Sequence, residues 1–103
     1  MTQYDINQCA FKNYEHNKHL IDGFLQKQTK LSKPEKASLL DAFNTYQTYI
    51  NQQCDFNTRG SIDGSAHNMA LFGCKAELLN NYLNYLKKQK KCVEGDLSCT
   101  KLQ

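Results

Sequence analysis

A single proline, Pro34, stands in a chain of 103 residues, and it stands where a helix begins. Ser32 and Glu35 form a capping box around it, and a proline in the first turn loses no hydrogen bond, because the N–H it lacks has no partner there. The rest of the chain is free to run as long helices. After Pro34, the residues Leu39, Leu40, Phe43, Tyr46, Ile50 and Cys54 recur at intervals of three and four, which predicts an amphipathic helix over about 33–55. Upstream, Ile6, Ala10, Tyr14, Leu20, Ile21, Phe24 and Leu25 form a broad stripe over about 3–29. Thr2 and Asp5 resemble a capping box with a short acid at its start, and Gly23 interrupts it at modest cost. Lys30-Leu31 connects the two helices.

Asn57 to Ser65 contains Gly60, Gly64 and a run of small polar residues, the composition of a loop. Met69, Phe72, Leu79, Tyr82, Leu83 and Leu86 then predict a third helix over about 66–90. Lys91 to Gln103 reads as a compact tail. The expected fold is all-α: one domain over 1–103, an up-down-up antiparallel three-helix bundle around one core.

Composition narrows the function classes. Hydrophobic residues make up 40% of the chain and charged residues 22%, which excludes collagen-like, low-complexity and charged disordered classes. No run approaches the ~18 consecutive apolar residues of a membrane span. Thirteen Lys and Arg against ten Asp and Glu give a net charge of +3, short of the clustered excess of a nucleic-acid binder. Arg59 is the one arginine, and Lys87, Lys88, Lys90 and Lys91 read as cations opposing the negative end of the third helix.

Five cysteines in so small a chain, Cys9, Cys54, Cys74, Cys92 and Cys99, point to an oxidising compartment and a disulfide-stapled bundle. Neither the paired short spacings of a zinc site nor a C-x-x-C redox motif is present. Reversals near residues 31 and 61 bring Cys9, Cys54 and Cys74 toward one end of a three-helix bundle. Cys54–Cys74 is the first choice, closing about 20 residues for roughly 3 kcal/mol. Cys92–Cys99 is a local bridge across the tail. Cys9 is left over: it is free, pairs with a cysteine outside this sequence, or displaces one of those pairs. Met1 leads directly into a polar helix with no signal peptide, so the reading is of a periplasmic or secreted chain whose export signal has been removed.

Four segments together resemble one family. Thr2-Gln3 through Asn7, Cys9 and Ala10 look like its opening, and Leu40 to Cys54 with Phe56 like its middle helix. Gly60-Ser61 and Cys74 resemble its loop and third-helix cysteine, and Glu94 to Cys99 an ending seen in longer members. The family is the LprI-type lysozyme inhibitor domain, a group of small exported bacterial proteins. The chain departs from it in the middle helix, where Phe43, Tyr46 and Ile50-Asn51 stand at positions that often hold Gln, Trp and an Arg-Asp pair. The resemblance implies an exported helical binding protein whose partner is a lysozyme or another peptidoglycan hydrolase. It also implies a cysteine upstream of Thr2 in other members, which would account for an orphan Cys9.

Site chemistry points the same way. Glu15, His16, His19 and Asp22 share helix 1, but two histidines at i, i+3 lack the third ligand a metal site needs. Ser61, Ser65, Asp63 and His67 sit in or beside a short loop that cannot preorganise a triad. The expectation is therefore no enzyme, no cofactor and no metal. The loop 57–65, stiffened at its base by Cys54–Cys74, is the expected partner surface, with Arg59, Ser61 and Asp63 as contact residues. Arg59 would pair with a carboxylate of a lysozyme cleft and Ser61 would hydrogen-bond within it. The positive net charge opposes approach to a basic lysozyme and favours an acidic or neutral target. The second reading is an adaptor that binds an envelope protein and inhibits nothing.

Overall fold

The computed structural model describes residues 1–93 and 95–103 as three long helices, α1 (Gln3–Gln26), α2 (Lys33–Asn57) and α3 (His67–Lys88). Short 3-10 turns at Arg59–Ser61 and Gln89–Lys91 follow α2 and α3, and there is no strand among the described residues.

The first two helices start on reciprocal capping boxes. The Thr2 side chain accepts from Asp5 N while the Asp5 carboxylate accepts from Thr2 N, and Ser32 and Glu35 do the same for α2. The helix ends depart slightly from the sequence expectation. α1 stops at Gln26 because the side chain of Gln28 turns inward, 1% exposed, and donates to Phe24 O. α2 continues to Asn57, where the Thr58 hydroxyl closes it on Cys54 O at 2.7 Å. α3 begins on Ala66, which offers no side-chain cap.

Bonds between the helices fix their directions. Asn7 reaches Ser65 O and Met69 N, and Asn17 reaches Ala76 O, so α1 and α3 run parallel. Cys54 meets Cys74 and the Tyr46 hydroxyl donates to Leu78 O, so α2 runs against α3. The bundle is up-down-up, with α3 packed most closely on α1. Ile21, Leu25, Phe43, Ile50, Cys54, Leu79, Leu83, Leu86 and Leu102 make the core. Leu20 and Leu40 lie on the sequence stripes yet are 45% and 41% exposed. Each adjoins another core-side residue, Ile21 or Leu39, and neighbours on a helix point about 100° apart, so one of each pair must turn outward.

The tail is more than a loop. Leu102 enters the core at 4% exposure. Its N–H donates to Gln89 O, while Gln103 N donates to the Gln28 side chain and the Gln103 side chain accepts from Lys30 N. A buried amide such as Gln28 is tolerable only with its hydrogen bonds made, and Phe24 O and the tail together make them. The result is a rod of 50 × 24 × 23 Å with two poles. The loop pole joins the start of α1, the end of α2 and the start of α3. The tail pole joins the α1–α2 turn to the end of α3 and the tail.

Candidate functional site: the loop pole

The segment after α2 is held by its own hydrogen bonds. Thr58 is buried, and its carbonyl accepts both Ser61 N at 3.0 Å and the Ser61 hydroxyl at 2.9 Å. Gly64 N then donates to Ser61 O, and His67 N to Gly64 O. The Ser61 hydroxyl also lies 3.1 Å from His67 Nδ1. Ser61 is half-buried and its bonding capacity is engaged within the loop, so its geometry is that of a loop brace.

Two further ties fix the loop to the bundle. At its base, Cys54 and Cys74 form a disulfide with Cα atoms 5.7 Å apart. On its far side, α1 caps α3 in place of Ala66: Asn7 Oδ1 accepts Met69 N and Asn7 Nδ2 donates to Ser65 O. Gln3 donates to the same Asn7 oxygen at 2.9 Å and orients the amide. Thr2, Gln3 and Asn7 thus have a structural explanation: Thr2 caps α1, Asn7 caps α3, and Gln3 orients the Asn7 amide.

The pole displays a short set of free side chains. Arg59 and Asp63 are both exposed. Beside them, Phe56 is 68% and Ile62 66% exposed. Sequence reasoning did not select these two for a site. The available signal was an isoleucine stranded in a polar loop and a phenylalanine off the apolar stripe of α2. Asp5, Asp55 and Asp63 fall in the segments that form this pole, three carboxylates against Arg59 in a chain that is net positive.

The other candidates lie elsewhere. Cys92–Cys99 closes the tail with Cα atoms 5.9 Å apart, and Cys9 is an exposed free thiol on α1. His16 and His19 are exposed on the same helix. Among the described residues no three His, Cys, Asp or Glu side chains gather as metal ligands, and no helix is long and apolar enough to cross a membrane.

Comparison with known proteins gives one family. No curated protein and no solved structure matches the chain. The family model described as Lysozyme inhibitor LprI matches residues 1–86, a span that holds the Thr2–Asp5 capping box, Asn7, the Cys54–Cys74 bridge and the loop between its cysteines. The tail lies outside the matched residues. With most of its length matched, the chain belongs to the LprI lysozyme inhibitor family.

Proposed function

We propose that this chain is an exported binding protein whose loop pole occludes the cleft of a peptidoglycan hydrolase of the lysozyme class, without catalysis. The observation that carries this reading is a guanidinium flanked by two bare apolar side chains, Arg59 with Phe56 and Ile62, on a narrow end pinned by a disulfide. Arginine and aromatic side chains dominate protein–protein hot spots. A preorganised loop loses little conformational entropy on binding. The carboxylates of a glycosidase cleft supply a partner for Arg59, and the 24 × 23 Å cross-section suits an end-on wedge. Asp5, Asp55 and Asp63 at this end remove the charge objection to a basic target, because a partner meets the local field before the net charge. The disulfides fit an oxidising compartment.

The test is a lysis assay on a peptidoglycan suspension with c-, g- and i-type lysozymes. The native chain slows at least one of them, and Arg59→Ala with Ile62→Ser releases the block. Lysis at an undiminished rate under micromolar excess of the chain would remove the inhibitor reading and leave an adaptor.

A further inference from the structure

Nine of the thirteen basic residues fall in two segments far apart in sequence: Lys27, Lys30, Lys33 and Lys36 at the α1–α2 turn, and Lys87, Lys88, Lys90, Lys91 and Lys101 at the end of α3 and in the tail. The acids in those segments are Glu35, Glu94 and Asp96. The fold brings the two segments to one pole. Gln103 bonds to Lys30 N and to the Thr29 and Gln28 side chains, and Lys90 Nζ lies 5.8 Å from the centre of the Phe24 ring on α1. A chain of net charge +3 therefore carries a strongly cationic tip, far more than one helix end needs to offset its dipole.

The same tip presents two bare aliphatic side chains. Val93 is 76% exposed and Leu97 fully exposed. Both sit on the loop closed by Cys92–Cys99. Among its described residues, Gly95 takes the left-handed conformation at φ +88, Asp96 N donates to Val93 O, and the Asp96 carboxylate accepts both the N–H and the hydroxyl of Ser98. A covalently closed turn with two aliphatics at its surface, adjoined in sequence by Lys90, Lys91 and Lys101, combines the two signals that hold a peripheral protein on a membrane: apolar insertion and attraction to anionic headgroups.

We propose that the tail pole docks on a lipid bilayer bearing anionic phospholipids, with Val93 and Leu97 entering the interface and the lysines lying against the headgroups. A soluble polyanion matches the lysines and has no use for the aliphatics, so the pair of features favours a bilayer. The attraction expected is about fivefold in affinity for each lysine at the surface. This surface is separate from the loop pole, and its test does not involve a hydrolase.

The experiment is vesicle co-sedimentation of the full, oxidised chain. Vesicles of phosphatidylcholine alone are compared with vesicles containing about one third phosphatidylglycerol, a composition that sets up a negative surface potential. Binding is expected to the anionic vesicles only, and to weaken as salt rises to ~0.5 M. Lys87→Gln with Lys88→Gln and Lys91→Gln, all exposed positions, lowers affinity about a hundredfold. Val93→Ser with Leu97→Ser lowers it about tenfold at unchanged charge. Circular dichroism checks that each variant keeps its helices. Absence of binding to the anionic vesicles overturns the proposal. So does binding that Val93→Ser with Leu97→Ser leaves unchanged, or that inorganic polyphosphate supports equally with and without those two substitutions, since either result describes a polyanion site.

Discussion

Asn7 Oδ1 accepts the backbone N–H of Met69 at 3.1 Å, so the first helix supplies the N-terminal cap that the third helix lacks. The same side chain donates to Ser65 O at 2.9 Å, which ties the loop pole to α1. Asn7→Ala removes both bonds and is expected to cost about 1–2 kcal/mol, the range of a lost N-cap. Asn7→Asp keeps the acceptor for Met69 but sets a carboxylate oxygen against Ser65 O, so it falls between. Thermal melting of the three proteins gives the order, with about 4–8 °C for each kcal/mol in a domain of this size.

The covalent frame makes a second prediction. Cys54→Ser with Cys74→Ser opens a 20-residue separation and Cys92→Ser with Cys99→Ser a 7-residue one. Loop-closure entropy gives about 3 kcal/mol for the first and about 2 kcal/mol for the second. Denaturant unfolding should rank them in that order. Alkylation of the unreduced chain followed by mass spectrometry should label Cys9 alone, since it is the exposed free thiol.

Leu102 is a core residue supplied by the tail. Leu102→Ala is expected to destabilise by about 2–4 kcal/mol. The substitution also loosens the segment whose Gln103 satisfies buried Gln28, so hydrogen exchange should quicken first at Gln28 to Lys30. Protection unchanged there would mean that the tail only lies on the surface.

At low pH the α2 capping box should fail before the core does. Backbone and side-chain hydrogen bonds with Ser32 hold the Glu35 carboxyl below its ordinary value. A depressed folded-state pKa contributes stability that is present above the unfolded value and lost as pH falls through the folded one. Asp96 behaves likewise, held down by Ser98. Melting temperature should therefore decline on acidification below the ordinary carboxylate range. Glu35→Gln, which retains a capping side chain, should flatten that decline. An equally steep profile in the variant would show that the cap carries no pH dependence.

At high pH two tyrosines should stand apart. Desolvation raises the Tyr46 and Tyr82 phenols, with Tyr49 adding to the first and Tyr46 and Tyr85 to the second. Their rings stack at 4.5 Å between α2 and α3. A raised folded-state pKa contributes stability below the unfolded value that is lost as pH rises through the folded one. Phenolate absorbance should show these two of the six tyrosines ionising last, and Tyr46→Phe with Tyr82→Phe should remove the late phase.

Much of the scaffold is written locally and was readable for that reason. Thr2 with Asp5 and Ser32 with Glu35 announce two helix starts within four residues each, and the α2 stripe announces its buried face. The register that sets residue 54 beside residue 74 follows from where the chain reverses. What was not readable depends on distant pairs. The cap on α3 comes from 62 residues away, at Asn7. The inward turn of Gln28 needs Gln103, 75 residues on. Leu102 reads as tail because its neighbours are polar, and only the fold brings it into the core, with its N–H on Gln89 O. The loop is legible as a loop and Ser61 as a neighbour of His67, but the bracing of Ser61 on Thr58 O and His67 Nδ1 depends on the folded turn. Lys87, Lys88, Lys90 and Lys91 read in sequence as an offset to one helix end, and only the reversal of α1 and α2 adds Lys27, Lys30, Lys33 and Lys36 to the same pole.

That separation of charge has a mechanical meaning. Cations gathered at one tip of a 50 Å rod, with Asp5, Asp55 and Asp63 in the segments at the other, give the molecule a permanent electric moment along its longest axis. In the field of any charged sheet or macromolecule such a rod feels a torque before it makes contact. It arrives end first, and its flanks, tyrosines and amides included, meet very little.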